Sequence, residues 1–240
     1  MDKLTRINKY LAEKGYSTRR GADALIEAGK VTINGRKAVL GDKVTETDKV
    51  AVDTKAIAAK QKAYVYYAYN KPVGIVTHSP QKGEQAIADV VKLPGVFPLG
   101  RLDKESHGLL LLTNDGRLTD RLLNPESEHE KEYVVKVDKP IKLNTLTRLG
   151  KGIKIDGDFK GGSYITKPAI AEEISSTSLR LIITEGKRHQ IRRMLTALGY
   201  QVKDLKRVRV MQVEIGELKE GQHRELTDQE KKTLLKELGL

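Results

Sequence analysis

The 240-residue sequence contains no cysteine, so neither a disulfide framework nor a thiolate-held metal can support its fold or its chemistry. Its five histidines, at positions 78, 107, 129, 189 and 223, are too dispersed to suggest a metal cluster. Chemistry without a metal or a small-molecule cofactor is the expectation. Long apolar runs are also missing: the longest, Ala63 to Tyr69, falls far short of the ~20 residues a membrane span needs, and the opening MDKLTRINKY is charged rather than apolar. A cytoplasmic protein with no membrane partner is therefore expected. There is no tandem repeat or low-complexity tract. Acidic residues are in deficit, 32 Asp and Glu against 44 Lys and Arg, giving a net charge of +12. That excess favours a polyanionic partner, nucleic acid first.

The excess is concentrated. Residues 1 to 37 hold nine basic and four acidic residues, and residues 180 to 212 hold nine basic and two acidic. Together the two segments account for the whole net charge. Each is either a contact surface or a solvated face, and charge alone does not choose.

The first segment reads as a small module. Leu4, Ile7 and Leu11 follow helical spacing, and Ser17 or Thr18 offers an N-cap for a second helix that buries Ala22, Leu25 and Ile26 and stops at Gly29. Val31-Thr32-Ile33 followed by Asn34-Gly35 predicts a hairpin, because both turn residues tolerate positive φ. The polar, alanine-rich stretch 54–62 has no clear apolar face and reads as a linker. The organisation predicted is a module over 1–53, a linker over 54–62 and a larger domain over 63–240. In that domain AYVYYAYN, GLLLLT, KEYVVKV, LRLIIT and RVMQVEI read as strands. DVVKL, GRLTDRLLN, LNTLTRLG, HQIRRMLTALG and LTDQEKKTLLKEL read as helices. Strands and helices do not alternate strictly, so the fold class is α+β around a largely antiparallel sheet. Tyr64, Tyr66, Tyr67 and Tyr69 lie in a strand pattern and read mostly as sheet packing.

The candidate chemistry lies at Phe97-Pro98-Leu99-Gly100-Arg101-Leu102-Asp103. Pro98 and Gly100 break periodicity, so Arg101 and Asp103 belong on a loop, and Leu109 to Leu112 follow as a buried strand. An Asp in such a loop is commonly a turn or capping residue. The surrounding FPLGRLDKESHGLLLLTNDG, however, resembles the first signature of the RsuA-type family of pseudouridine synthases. The resemblance continues through NKPVGIVT (70–77), HEKEYVV (129–135) and EGKRHQIRRMLTALGY (185–200), in the family's order. It is closest to the large-subunit, RluF-like branch, through HEKEYVV, VDKP and the residues around QIRRM. The amino-terminal module LTRINKYLAEKGYSTRRGADALIEAGKVTINGRKA resembles the S-four-type RNA-binding domain.

These resemblances imply site-specific isomerisation of uridine to pseudouridine in rRNA, most readily 23S rRNA near the peptidyl-transferase region, by a monomer acting on a folded hairpin. They imply that Asp103 starts the reaction, by attacking sugar carbon 1′ or by removing the neighbouring sugar proton; the residues alone do not choose between the two. Either route needs an ionised carboxylate, which burial under a base would disfavour, so a cation is expected beside it. Arg192 is the expected partner. In a helix beginning near His189, Ile191, Leu195 and Leu198 share an inward face and Arg192 lies at its edge. The alternative is an Arg facing phosphate or water. Arg193 on the far side and Arg188 ahead of the helix suit RNA contacts, as do Arg6, Lys9, Arg19 and Arg20 in the module, though each could be an exposed helix charge. His189 reads as structural or as a hydrogen-bonding group of the site. Tyr133, on an alternating strand, is implied to pack against uracil and to assist removal of the proton from ring carbon 5. Its phenol is a poor base at neutral pH unless its pKa falls, so stacking is the firmer role. Arg101 is implied to occupy or hold the gap left by an extruded base, or else forms a loop ion pair with Glu105. Rival readings are a noncatalytic RNA chaperone or ribosome-assembly factor, a target in small-subunit rRNA or tRNA, and a metal-dependent nuclease, for which no carboxylate cluster is evident.

Overall fold

The computed structural model describes residues 4–17, 19–53, 63–156 and 162–240. The expected linker 54–62, the Thr18 cap and the side chain of Arg20 lie outside the described residues. The chain divides into two compact units, Met1–Val65 with Thr113–Arg121, and Tyr66–Leu112 with Leu122–Leu240.

In the first unit, strand β1 (Thr5–Arg6) leads into helix Ile7–Glu13, helix Arg19–Glu27, and strands β2 (Val31–Ile33), β3 (Arg36–Lys37), β4 (Lys43–Val44) and β5 (Val50–Val52). Ile7, Leu11, Ala22 and Ile26 pack with Val31, Ile33 and Val44 in one small core. Leu4 departs from its predicted helical face. Thr5 and Arg6 are drawn out by pairing with Val44 and Lys43, so the helix begins at Ile7 and Leu4 is left exposed. The predicted hairpin is present: Asn34 and Gly35 take φ of 49° and 86°, the pair of positive values that a two-residue turn between twisted strands requires.

In the second unit the strands are β6 (Tyr66–Lys71), β7 (Phe97–Leu99), β8 (His107–Thr113), β9 (Lys131–Val137), β10 (Lys154–Asp156), β11 (Ser163–Ile165), β12 (Ile170–Ser175), β13 (Ser178–Ile183), β14 (Val202–Val210), β15 (Val213–Glu214) and β16 (His223–Glu225). The main sheet runs β12-β13-β9-β14-β8-β6-β16, with β15 on β14 and β7 on β8. β12–β13, β13–β9, β9–β14 and β16–β6 are antiparallel, and β14–β8 is parallel. The fold is thus α+β on a largely antiparallel sheet. Helices Leu143–Lys151 and Gln190–Ala197 supply Leu149, Ile191, Met194 and Leu195 to a core with Val135, Leu181 and Leu205. Leu109 to Leu112 are all buried, as the unbroken apolar run predicts. Each is worth roughly 1.5–3 kcal/mol on burial.

Two elements differ from expectation. DVVKL is helical only to Val90, within Ile87–Val90, and Val91 is already extended; Pro94 has no N–H to bond the Val90 carbonyl and its ring would clash there if the helix continued. RVMQVEI is not one strand but the end of the nine-residue β14, a reversal in which Met211 takes φ of 50°, and the short β15. No helix among the described residues is long and apolar enough to cross a membrane.

Candidate active site

Asp103 lies on the loop between β7 and β8, and the backbone beneath that loop is tied down from three directions. Thr77 Oγ1 donates to the Leu102 carbonyl at 2.7 Å and accepts from the Leu102 N–H at 3.1 Å. The Gly74 N–H donates to the Lys104 carbonyl at 2.8 Å, and the Ser106 N–H to that of Asp103 at 3.1 Å. Arg207, on β14, donates to the Arg101 carbonyl at 3.3 Å and the Leu109 carbonyl at 2.7 Å, and is only 4% exposed. The 70–77 segment is therefore a cradle for the carboxylate loop. Its Lys71 is fully buried and donates to the carbonyls of Pro72 and Ile75 at 2.8 and 2.7 Å. Burial pushes this amine down to about 8, against the opposing pull of Asp103 and Glu105.

A cavity of about 420 Å³ opens beside Asp103, lined by Arg101 and Leu102 from the loop, Lys131 and Tyr133 from β9, Ile183 from β13 and Leu205, Arg207 and Val210 from β14, with Lys187, Arg188 and His189 at its edge. That size suits one small ligand group. Tyr133 is buried, opposite Arg207 on β14 and Leu181 on β13. The Asp103 side chain is 30% exposed, enough contact with the cavity to meet a ligand. Its side-chain neighbour is not Arg192 but His189, whose Nε2 lies 3.7 Å from Oδ1 and makes an ion pair only when the imidazole is protonated. His189 takes φ of 50° at the helix start, which swings its ring toward the loop.

Arg192 reaches the same loop two residues further on. One guanidinium nitrogen donates to the Glu105 carbonyl at 3.0 Å and to Ser106 Oγ at 3.3 Å, while Nε is buried without a hydrogen-bond partner. It is thus half-buried, as its edge position predicts, and fastens the loop instead of pairing with the carboxylate. Arg193 differs from the expected RNA-facing charge. It donates to the Asp156 carbonyl and, at 3.1 Å, to Tyr164 Oη, binding the helix to the β10–β11 hairpin. Arg101 is exposed at the rim, and among the described residues it forms no ion pair with Glu105. Arg188 is likewise exposed at the rim. In the first unit Lys9 stands 2.7 Å from Asp120 and 3.4 Å from Glu13, and Arg19 stands 3.4 Å from Asp120. Arg6 is exposed and has no ion pair among the described residues.

Two cavity residues escape a sequence reading. Arg207 looks like one more charge in a basic stretch, and Lys131 like a strand-edge residue. The usable signal was parity: Lys131 is two residues from Tyr133, and Arg207 two from Leu205, so each shares a face with a residue that turns inward.

A carboxylate on a braced loop, beside an aromatic ring and a base-sized hollow, in a strongly basic chain that carries a separate small unit, defines an enzyme that acts on single residues of a nucleic acid. Comparison with known proteins narrows this. The model of the RNA pseudouridylate synthase family matches residues 65–197, and that of the S4 domain matches residues 5–50. The chain belongs to the RNA pseudouridylate synthase family. It is 40% identical over 231 residues to the dual-specificity RNA pseudouridine synthase RluF of Salmonella typhi, covering 95% of this chain and 78% of that one. It is 34% identical over 235 residues to the ribosomal large subunit pseudouridine synthase B of Bacillus subtilis, covering 96% of each. A solved pseudouridylate synthase superposes with a TM-score of 0.70 at 31% identity, over 95% of this chain and 99% of that one.

Proposed function

We propose that this enzyme isomerises a specific uridine of large-subunit ribosomal RNA, acting as a monomer on a folded hairpin, with Asp103 as the catalytic carboxylate. The observation that carries the proposal is Asp103 itself: a part-exposed carboxylate at the wall of a hollow that also presents Tyr133, Lys131 and Arg207, on a loop braced from beneath by Thr77 and Arg207. Pseudouridine formation breaks the bond from uracil N1 to the sugar, turns the base and rejoins it through C5. A fixed anion at C1′ serves either attack on that carbon or removal of the C2′ proton.

Tyr133 is proposed to lie against the uracil ring, where its buried position holds the base flat while it turns. Arg101, exposed at the rim, is proposed to fill the gap left by the everted nucleotide. Arg192 holds the loop at Glu105 and Ser106, a positioning role, and His189 supplies the nearest side-chain partner of the carboxylate. Arg188 is proposed to meet the RNA backbone from the rim, and Arg193 to act through the hairpin it fastens. The amino-terminal residues 1–53 are proposed as the RNA-holding module, with Arg6 available to phosphate and Lys9, Arg19 and Arg20 contributing where phosphate displaces or joins their acidic neighbours.

The test is direct. Purified protein is incubated with rRNA transcribed without modifications, and pseudouridine is mapped by carbodiimide labelling and primer extension. One new stop in large-subunit RNA is expected, absent with Asp103→Asn, while RNA affinity stays within about threefold because phosphate contacts supply most of the binding. Modification by Asp103→Asn at the wild-type rate would overturn the assignment.

A further inference from the structure

Lys131 and Arg207 are both cavity residues, and neither has a carboxylate partner among the described residues. Arg207 spends its donors on main-chain carbonyls. Lys131 donates to the carbonyl of His129 at 2.9 Å, and an ammonium has three hydrogens. Arg207 is buried and Lys131 half-buried in one cavity, and two such cations without a paired carboxylate favour an arriving anion. The mutual repulsion is felt: burial, then the Arg207 charge, pushes the Lys131 amine down to about 8. The cavity's carboxylates do not pair with them: Asp103 Oδ1 stands 3.7 Å from His189 Nε2, and Glu185 accepts from the Lys167 N–H and the Gln190 side-chain amide. Negative charge that forms on a bound substrate would meet two cations without a carboxylate partner among the described residues.

We infer that Lys131 is a hydrogen-bond donor to the departing base, binding the carbonyl oxygen of uracil that takes up negative charge as the C1′–N1 bond breaks. The inference rests on the synthase reading above and deepens it. When that bond breaks, its electron pair leaves on N1 and spreads onto O2 and O4 of the ring. C1′ is taken by an Asp103 oxygen, or the C2′ proton passes to Asp103. After the base turns, C5 bonds to C1′, the Asp103 bond breaks or the proton returns, and C5 loses a proton as N1 gains one. Nothing is oxidised or reduced. The detached base is therefore an anion for the whole interval of its rotation, and a donor beside the ring is worth most in that interval. Lys131 fits geometrically because it shares the cavity face of β9 with Tyr133, against which the ring is proposed to lie.

The decisive experiment compares single-turnover rates of wild type, Lys131→Met and Lys131→Arg on one hairpin carrying either uridine or 5-fluorouridine at the target, read as loss of the starting nucleotide by chromatography of nuclease digests, because C5 of the fluorinated base has no proton to release and cannot give pseudouridine itself. Fluorine makes the base a better leaving group, so it needs less help. Lys131→Met should slow the uridine substrate by about 100-fold and the fluorinated one by less than about 10-fold, with RNA affinity little changed. Lys131→Arg, which keeps the charge, should recover part of the loss. Equal losses on both substrates would overturn the inference, since that is the mark of a folding or packing role. So would a loss carried in RNA affinity, the mark of a phosphate anchor, or an unimpaired Lys131→Met. Failure of wild type to form pseudouridine would instead strike the synthase reading itself.

Discussion

Lys131 illustrates how a single side chain can be paid in function for what it costs in stability. Its folded value of about 8 lies below the ordinary 10.5. Below pH 8 folded and unfolded chains both hold the proton, so the cost of the buried charge is fully felt. Between about 8 and 10.5 the unfolded chain binds more protons, so this residue makes stability rise with pH. Lys131→Met should therefore be more stable than wild type at pH 7, by about 1–3 kcal/mol after allowing for partial exposure, and should lose part of the upward slope between pH 8 and 10. Urea melts across that range check it; a variant no more stable and with an unchanged slope would mean the amine is not desolvated. Lys71, depressed for the same reason, keeps the remaining slope. At this scale Asp103 and the half-burial of Arg192 were legible, because a motif and a helical stripe mark them. The approach of His189 to Asp103 was not, since the two residues lie far apart in the chain and no residue type in the sequence announces the left-handed backbone at His189.

Among elements, the parallel seam between β8 and β14 fixes the strand that carries Leu205, Arg207 and Val210 to the cavity, and one residue permits it. A Cβ at Gly108 would lie 2.2 Å from the Arg207 carbonyl oxygen, and the residue sits at φ of 102°. Gly108→Ala should destabilise the second unit by more than about 3 kcal/mol and abolish activity, measured by thermal melts and by pseudouridine mapping. Thr77→Val offers a milder companion. It removes both hydrogen bonds to Leu102 and should cost about 1–3 kcal/mol while lowering turnover more than RNA affinity; an unaltered rate would show that the loop keeps its place without Thr77. The helices Leu143–Lys151, Gln190–Ala197 and Asp228–Glu237 were readable from their apolar spacing. β14 was not, because alternating basic residues hide its inward face, and its closing reversal at Met211 carries no glycine or asparagine to announce it.

For the whole molecule, the net charge of +12 predicts RNA binding that weakens steeply with salt. Neutralising one phosphate contact should remove about 0.7–1 from the slope of log affinity against log salt. Arg6→Ala is the sharpest case, since among the described residues Arg6 has no acidic partner to release, whereas Lys9→Ala and Arg19→Ala should change the slope less because Asp120 already holds those charges. Filter binding from 50 to 300 mM salt decides it, and an unchanged slope for Arg6→Ala would remove that residue from the contact surface. Two basic segments and the α+β class could be read from the sequence; that Arg193 is committed to the β10–β11 hairpin could not, because the contact joins residues about 30 apart in the chain.

The seam at His107–Lys206 and Gly108–Arg207 joins residues about a hundred positions apart. On a ribosome adding roughly 5–20 residues per second, the loop bearing Asp103 emerges some 5–20 seconds before the strand that underpins it. The small unit's hairpin and helix pair, made from neighbours along the chain, can close in that time. A nascent copy thus completes the small unit proposed to hold RNA before the loop that bears Asp103 is underpinned.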